Sequence, residues 1–160
     1  MEIRKAFMAD KENLSKMHIA SIRKLCAGHY TRQQIDAWTR VLVPSVYEQA
    51  LQEKVVLTAC DSGEELSGLG ILDIENKELS AVYVHPDAVG KGVGSRLLEA
   101  LETIARKSGL IDITVHATLN AKGFYRAHGY LEQELTAHHL PNGTKLACIR
   151  MVKTLPKHAE

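Results

Sequence analysis

Three glycines at alternating positions form the segment of this sequence best suited to hold a charged ligand. They are Gly90, Gly92 and Gly94, between a predicted strand and a predicted helix. Closely spaced glycines allow positive φ angles and a close approach of the backbone to a ligand. Their amides and the helix N-terminus predict an anion site, to which Lys91 adds a charge and Ser95 a hydroxyl. The ligand chemistry indicated is a phosphate or a pyrophosphate.

Two common phosphate-binding motifs do not fit this loop. The dinucleotide fingerprint needs the spacing G-x-G-x-x-G early in a βαβ unit, whereas the spacing here is G-x-G-x-G and follows several predicted strands. The nucleoside-triphosphate motif G-x-x-x-x-G-K-[ST] is absent from the sequence. A glycine-rich turn that binds nothing is the remaining alternative to a phosphate site.

The elements that position the loop can be predicted from hydrophobic periodicity. Residues 2–7 alternate as a strand, and a helix begins with Asp10 as its N-cap and stops near Gly28. Thr31 and Gln34 form a capping box at the start of a second helix. A short third helix follows before the sequence changes to strands.

Strands and one strong helix make up the middle of the chain. Residues 55–60 and 66–74 predict a hairpin with its turn at 61–63, and residues 78–84 predict a third strand. The helix that follows the glycine loop has an apolar face formed by Val93, Leu97, Leu98, Leu101, Ile104 and Ala105.

The last part of the chain also combines predicted strands with a predicted helix. We predict a strand over 110–115, a short helix capped by Asn120 that runs to His128, and strands over 130–136 and 144–153. The order of elements predicts a mixed α/β (α+β) fold, with a mostly antiparallel central sheet flanked by helices.

Length and composition fit one globular domain. The 160 residues are 45% hydrophobic and 24% charged, which excludes a disordered or collagen-like chain. Twenty Lys and Arg against nineteen Asp and Glu give a formal charge of +1, so no bulk charge attracts nucleic acid or anionic lipid. We assign the domain to residues 1–155 and a C-terminal tail to residues 156–160.

Cysteine usage and the N-terminus predict a cytoplasmic protein. Cys26, Cys60 and Cys148 are odd in number, widely spaced and form no C-x-x-C, which disfavours disulfides and a zinc site. The N-terminus lacks the apolar core of a signal peptide, and no stretch approaches the ~18 apolar residues of a membrane span. We expect buried, reduced thiols, no metal and no membrane partner.

Two further motifs accompany the glycine loop. The first is Val82-Tyr83-Val84-His85-Pro86 followed by Val89-x-x-Gly92-x-Gly94. The second is Asn120-Ala121-Lys122-Gly123-Phe124-Tyr125-Arg126-Ala127-His128-Gly129-Tyr130. On these motifs, residues 78–130 resemble the GNAT superfamily of acetyl-CoA-dependent N-acetyltransferases, whose loop reads [Q/R]-x-x-G-x-[G/A]. Val89 departs from that pattern, at a position thought to act through its backbone.

The resemblance implies acetyl-CoA as the acetyl donor. Its pyrophosphate would sit on the amides of the glycine loop, and its pantetheine arm would pair with strand residues 82–84 beside a break in the sheet. The residues that the resemblance assigns to coenzyme binding are Val82, Tyr83, Val84, Val89, Gly90, Lys91, Gly92, Val93, Gly94, Ser95, Asn120 and Phe124.

A general acid and a general base are implied in the same way. Tyr125 matches the family's general acid, which protonates the departing sulfur; a packing tyrosine is the alternative. Glu78 lies six residues before Val84, where histone acetyltransferases of the superfamily place a glutamate base. Strand alternation predicts that Glu78, Ser80, Val82 and Val84 share one face.

Other groups compete with Glu78 for the role of base. Glu78 itself has the alternative of a solvated carboxylate at the strand entry. His85 has a suitable ordinary pKa, but its place before a proline indicates a structural cap. Asp73 and Glu75 are minor candidates, and a chain of waters could replace a dedicated base.

Aromatic residues after the first long helix predict the acceptor pocket. His29, Tyr30 and Trp38 could hold an amine by cation–π contact, although Trp38 as core and Tyr30 as a helix plug is the alternative. His138 and His139 lie in a predicted late loop that could border the site. Two adjacent histidines resemble a metal site only weakly.

The sequence therefore predicts an N-acetyltransferase that moves an acetyl group from acetyl-CoA to a primary amine of a small molecule, by direct attack in a ternary complex. A protein or peptide amine as acceptor is one alternative, and a non-catalytic acyl-CoA-binding module is another. Exposed edge strands in such a fold would permit a homodimer. The cysteines lie outside both motifs, which disfavours a covalent thiol route.

Overall fold

A computed structural model describes residues 1–61 and 65–157 of the chain. The strands are β1 (Glu2–Lys5), β2 (Val55–Cys60), β3 (Leu66–Asp73), β4 (Glu78–Val84), β5 (Asp112–Thr118), β6 (Leu131–His139) and β7 (Lys145–Thr154). The helices are α1 (Lys11–Leu25), α2 (Arg32–Arg40), α3 (Val46–Glu53), α4 (Val93–Lys107) and α5 (Lys122–Ala127), with short 3-10 helices at Met8–Asp10 and Pro86–Ala88. The predicted turn at 61–63 and the predicted tail fall partly outside the described residues.

The seven strands form one sheet in the order β1-β2-β3-β4-β5-β7-β6. Every neighbouring pair is antiparallel except β4 and β5, which run parallel. This confirms the predicted single domain with a mostly antiparallel sheet flanked by helices. Helix α4 connects the parallel pair, because parallel strands cannot be joined by a tight turn.

The parallel contact between β4 and β5 is short. Only Glu78 with Thr114 and Leu79 with Val115 pair across it, and further along the two strands separate. The later residues of β4, up to Val84, stay paired with β3 on the other side. The sheet is therefore split between β4 and β5, as the resemblance implied.

Helices cover both faces of the sheet. Helix α4 packs closely on β3, because a Cβ added at Gly68 or Gly70 would lie 2.7 Å from a leucine methyl of that helix. Helices α1 and α3 cover the opposite face, where Leu14, Met17 and Tyr47 pack on the sheet. These two faces are called the α4 face and the α1 face below.

A β-bulge in β4 changes which of its side chains share a face. Ile71 of β3 pairs with Ala81, but Leu72 pairs with Leu79, so Ser80 is the extra residue. Leu79 packs in the cluster on the α4 face, whereas Ala81 packs in the cluster on the α1 face. The strict alternation expected over residues 78–84 is therefore interrupted.

The predicted face for Glu78 is wrong because of that bulge. Val82 and Val84 pack toward the α4 face, and Tyr83 packs toward the α1 face. Glu78 precedes Leu79, a residue of the α4 face, so it lies on the α1 face with Ala81 and Tyr83. The bulge thus separates Glu78 from the valines and places it beside the tyrosine.

The helix caps predicted from sequence have mixed outcomes. The capping box is confirmed: the Gln34 amide donates to Thr31 Oγ1 over 3.1 Å, and the Thr31 amide donates to Gln34 Oε1 over 2.8 Å. Asp10 occupies the N-cap position of α1, but its carboxylate does not cap that helix. It accepts instead from the Phe7 amide at 2.6 Å, so the predicted role of its side chain is wrong.

The structure also bears on the expected state of the cysteines and on the expected absence of a membrane-spanning helix. Cys26, Cys60 and Cys148 are free and buried, as predicted. Over the ranges that the structure covers, no helix is long and apolar enough to cross a membrane.

Candidate active site

The glycine loop presents free amides at the start of α4. Gly90 and Gly92 have φ angles of 81° and 82°, in the left-handed region that favours glycine. The first hydrogen bond of α4 joins the Arg96 amide to the Gly92 carbonyl at 3.1 Å. The amides of residues 92–95 therefore have no partner within the helix and are available to an anion.

The third glycine of the loop serves packing rather than backbone conformation. Gly94 lies inside α4 and is not among the glycines with positive φ. A Cβ at this position would lie 3.2 Å from Phe124 Cε1 and 3.4 Å from Val84 Cγ2. The expectation of a special backbone conformation is wrong for Gly94, where the requirement is space for the Phe124 ring.

A cleft of about 440 Å³ lies beside the loop at the split between β4 and β5. We call it the loop cleft. Its lining includes every residue predicted to bind the coenzyme except Lys91, which lines a neighbouring surface pocket. The end of helix α1 contributes Ser21 and Leu25, and Cys26 follows as its C-cap; the motifs could not reveal these residues.

The edge of β4 faces this cleft with unpaired backbone groups. The His85 amide donates to the Ser67 carbonyl over 2.8 Å, which marks that antiparallel pair as hydrogen-bonded. Hydrogen-bonded and non-hydrogen-bonded pairs alternate along an antiparallel ladder. The N–H and C=O groups of Val82 and Val84 therefore point away from β3 and into the split.

Asn120 and Cys26 meet at the side of the loop cleft. Asn120 does not cap α5, contrary to the prediction; its Oδ1 accepts a hydrogen bond from Cys26 Sγ at 3.4 Å. Burial raises the pKa of the Cys26 thiol to about 11. The thiol thus stays protonated near neutral pH, which makes it a poor nucleophile.

A second cavity of about 440 Å³ lies on the α1 side of the split. We call it the aromatic cavity, because Tyr30, Trp38 and Tyr83 line it. Tyr83 of β4 and Thr118 of β5 line both this cavity and the loop cleft. The two cavities are therefore adjacent where the strands separate, with Tyr83 and Thr118 in both walls.

Tyr30 and Trp38 have structural contacts as well as a place in the cavity wall. The Tyr30 hydroxyl donates to the Ala147 carbonyl and accepts from the Leu119 amide at 3.1 Å. The Trp38 ring packs edge-on against Tyr30 at 5.6 Å and against Tyr83 at 6.4 Å. His29 is exposed and does not line the cavity, so the geometry gives no support to its predicted contact with the acceptor.

Glu78 lies in the aromatic cavity at the point where β4 and β5 last pair. Its Oε1 lies 3.2 Å from Nδ1 of His116, a residue of β5. About a third of its side chain is exposed, at 36%. The carboxylate is thus held at the apex of the split by the neighbouring strand, in contact with both the cavity and solvent.

The other candidate bases are less well placed, although Asp73 also lines the aromatic cavity. Asp73 accepts from the Asn76 amide at 3.1 Å and from Asn76 Nδ2 at 2.8 Å, and these bonds lower the pKa of its carboxyl. His85 Nδ1 accepts from the Asp87 amide at 3.1 Å, which confirms the structural cap predicted for His85. Glu75 is exposed and lines neither cavity.

The late histidines occupy the end of β6 rather than a loop. His138 lines the aromatic cavity, whereas His139 does not. Throughout the described part of the chain, no group of three His, Cys, Asp or Glu residues is placed to hold a metal ion.

Tyr125 is buried on α5, next to a residue of the loop cleft. Its ring packs edge-on against Phe124 at 5.2 Å and against Tyr130 at 5.4 Å. Burial raises the pKa of its hydroxyl, which therefore stays protonated. Within the described ranges, the Tyr125 hydroxyl has no hydrogen-bond partner. Its oxygen is not fully enclosed.

His18 of α1 and His116 of β5 line the aromatic cavity and were missed by sequence reasoning. The His18 ring packs on Tyr83 at 4.2 Å, and its Nδ1 lies 2.8 Å from the Tyr47 hydroxyl. Burial lowers the pKa of His18 to about 3, so the ring is neutral. Its Nε2 is the one fully enclosed side-chain N or O atom without a partner in the described residues.

Taken together, the free amides, the unpaired strand edge and the two adjoining cavities at the split are the arrangement typical of an acyltransferase. The comparisons with known proteins agree. The model of the acetyltransferase (GNAT) domain matches residues 26–154, and the chain belongs to this family.

Three relatives place the chain within the family. A GCN5-related N-acetyltransferase from Rhodopseudomonas palustris superposes with a TM-score of 0.90 at 30% identity, over 96% of this chain and 95% of that one. The PaiA N-acetyltransferase of Thermoplasma acidophilum, solved with coenzyme A, gives a TM-score of 0.77 at 25% identity, over 96% and 98%. A spermidine N(1)-acetyltransferase of the same organism is 28% identical over 141 residues, covering 81% of this chain and 88% of that protein. The chain spans only about half, 51%, of the curated Streptococcus pyogenes acetyltransferase that it matches at 35% identity.

Proposed function

We propose that this protein transfers the acetyl group of acetyl-CoA to a primary amine of a small molecule, by direct attack in a ternary complex. One observation carries the proposal. The loop cleft and the aromatic cavity adjoin at the split and share Tyr83 and Thr118 in their linings. A donor on one side and an acceptor on the other would meet at that point.

The residues of the loop cleft fit the donor. The amides of residues 92–95 would hold the pyrophosphate, and Lys91 would add positive charge nearby. Val82 and Val84 would pair with the amide groups of the pantetheine arm. When bound, acetyl-CoA supplies an acetyl group activated as a thioester, and a free strand amide can stabilise negative charge on its carbonyl oxygen.

Two side chains would move the protons. The amine nitrogen forms a bond to the carbonyl carbon, the carbon–sulfur bond breaks, and the sulfur leaves with the electron pair. Glu78 takes the proton of the amine directly or through water, and Tyr125 gives a proton to the sulfur. The position of Glu78 at the apex of the split supports the first role. The unbonded hydroxyl of Tyr125, whose ring contacts Phe124 of the loop cleft, supports the second.

The size of the aromatic cavity supports a small acceptor. Its volume of about 440 Å³ lies within the ~300–1,000 Å³ range of small-molecule sites. The Thermoplasma relative is named for a small amine, spermidine. A peptide amine and a purely acyl-CoA-binding role are the alternatives that an experiment must distinguish.

Thiol release from acetyl-CoA in the presence of a broad amine panel tests the proposal. We expect turnover with at least one small amine, and in Tyr125→Phe a loss of about 10²–10⁴-fold in kcat with coenzyme binding retained. Tyr130→Phe is the matched control, because the hydroxyl of this buried tyrosine is bonded to Glu102, whereas the Tyr125 hydroxyl has no partner in the described residues. If the coenzyme binds but no amine releases thiol, the protein is a binding module and the proposal is wrong.

A further inference from the structure

Glu78 has a single polar partner in the part of the chain that the structure describes. Its Oε1 lies 3.2 Å from Nδ1 of His116, and its Oε2 makes no hydrogen bond to a described residue. Both side chains line the aromatic cavity, and more than a third of each is exposed, 36% for Glu78 and 39% for His116. Tight packing does not fix a carboxylate as open as this, so the contact with the imidazole is what orients it.

The register of the split sheet explains why His116 is the partner. Glu78 pairs with Thr114 of β5, and His116 lies two residues further along that strand, so its side chain points to the same face. Val115 makes the last pair between β4 and β5, which places His116 immediately beyond it. The contact therefore bridges the two strands at the point where they begin to separate.

Two cations around this contact have other partners. Arg150 of β7 is paired with His116 in the sheet, but its Nε donates to Glu134 Oε1 over 3.1 Å. Lys54 lines the same cavity, and its Nζ lies 3.8 Å from Asp73 Oδ2. A cation bonded to the glutamate would stabilise its charged form and weaken it as a base. Histidine can orient a carboxylate without a charge, which lysine and arginine cannot do.

The contact also fixes where the ring of His116 carries its proton. An ionised carboxylate only accepts hydrogen bonds, so Nδ1 must be the donor to Glu78 Oε1. In the uncharged ring the proton is then on Nδ1 and the lone pair is on Nε2. The bond occupies Oε1 and leaves Oε2 as the oxygen that can take up a proton.

We infer that His116 is a positioning residue for acetyl transfer, which donates from Nδ1 to Glu78 Oε1 and thereby directs Oε2 to accept the proton of the acceptor amine, directly or through water. The inference rests on the proposed function, in which Glu78 is the base. His116 then changes the rate of the transfer step through Glu78 alone, and it contributes to the binding of neither the acceptor nor the coenzyme.

Two variants of similar shape test the donor. His116→Asn keeps a side-chain N–H group close to the position of Nδ1, whereas His116→Leu has none. Single-turnover rates would be measured with a small amine that gives thiol release. We expect a loss of about tenfold or more in His116→Leu and of less than about threefold in His116→Asn, because a misplaced reacting group slows a reaction by up to ~10²-fold.

The acceptor KM and the coenzyme Kd should stay unchanged in both variants. His139→Leu is the control, because His139 is exposed and lies outside the aromatic cavity. An unchanged rate in His116→Leu, or equal losses in His116→Leu and His116→Asn, would overturn the inference.

A double-mutant cycle distinguishes positioning of Glu78 from a general effect on the fold. In a protein that already carries Glu78→Gln, His116→Leu should slow the transfer no further. A second loss of the same size would overturn the inference, because His116 would then act independently of Glu78. Slow transfer in Glu78→Gln with a full rate in His116→Leu would overturn the inference and leave the proposed function intact. A full rate in Glu78→Gln would refute the proposed base and the inference with it.

Nitrogen-15 NMR of the histidine rings tests the contact without turnover. Spectra recorded well above the ordinary histidine pKa of ~6.5 show which ring nitrogen carries the proton, and His116→Asn assigns the signals by their loss. We expect the proton of His116 on Nδ1. A proton on Nε2 would overturn the inference even if no amine released thiol from acetyl-CoA.

Discussion

Two buried clusters of polar groups differ in how completely their hydrogen bonds are made. In the first, Glu102 of α4 accepts from Tyr130 at 2.7 Å and from Lys153 Nζ at 2.9 Å. In the second, His18 contacts Tyr47 through one ring nitrogen and leaves the other without a partner in the described residues. We call them the Glu102 cluster and the His18 cluster.

Their positions explain the difference. The Glu102 cluster joins α4 to β7 and lines neither cavity. The His18 cluster lies between two helices and β4, against the aromatic cavity. Buried groups that bond one another completely stabilise the fold, whereas a buried polar atom left without a partner costs free energy.

The largest effect on stability is expected at Glu102. Glu102→Gln leaves the ammonium of Lys153 without its counter-charge in a largely buried position, so the free energy of unfolding falls by about 3 kcal/mol. Denaturant unfolding measures it. Glu99→Gln, an exposed change on the same helix, is the control and stays within about 0.5 kcal/mol of the unchanged protein. Equal losses in the two variants would show that the Glu102 cluster contributes no special stability.

The pH dependence of stability distinguishes the His18 cluster. Because burial lowers the pKa of His18 from 6.5 to about 3, the unfolded chain takes up the proton first as the pH falls. The contribution of His18 to the free energy of unfolding is therefore complete above pH 6.5 and is lost progressively as the pH falls toward 3. Between pH 7.5 and pH 5 it amounts to about 2 kcal/mol.

His18→Phe isolates this contribution from those of the other histidines and of the carboxylates. Denaturant unfolding of both proteins at pH 7.5 and pH 5 gives the two changes in unfolding free energy. We expect the variant to lose about 2 kcal/mol less than the unchanged protein on acidification. Identical pH dependence would mean that His18 is protonated as readily in the folded state as in the unfolded chain.

The smallest expected difference in the free energy of unfolding is between two matched tyrosine substitutions. Tyr130→Phe removes a bond to a carboxylate and should cost about 2 kcal/mol, whereas Tyr47→Phe removes a bond to a neutral ring and should cost about 1 kcal/mol. Thermal and denaturant unfolding of the two variants would be compared. A greater loss in Tyr47→Phe would reverse the roles assigned to the two clusters.

Local chemistry made much of the fold predictable. The capping box at Thr31 depends on residues a few positions apart, and the glycine loop lies directly between a strand and a strongly amphipathic helix. The bulge at Ser80 could not be predicted, because the residues around it alternate as they would in a regular strand. That one extra residue changed the face on which Glu78 lies.

The two polar clusters lay beyond sequence reasoning for a different reason. His18 sits among apolar residues of α1, and its partner Tyr47 comes from another helix 29 residues later. Glu102 and Lys153 are 51 residues apart. No short-range pattern records such contacts, so only the packing of distant elements reveals which polar residues are satisfied and which remain free.

A crystal structure of the protein with acetyl-CoA tests most directly whether the split joins donor and acceptor. We predict the diphosphate on the amides of residues 92–95, the pantetheine arm along Val82 and Val84, and the acetyl group beside Tyr83 and Thr118. A diphosphate bound elsewhere, or an acetyl group directed away from the aromatic cavity, would contradict the claim that the split joins the donor and acceptor sites.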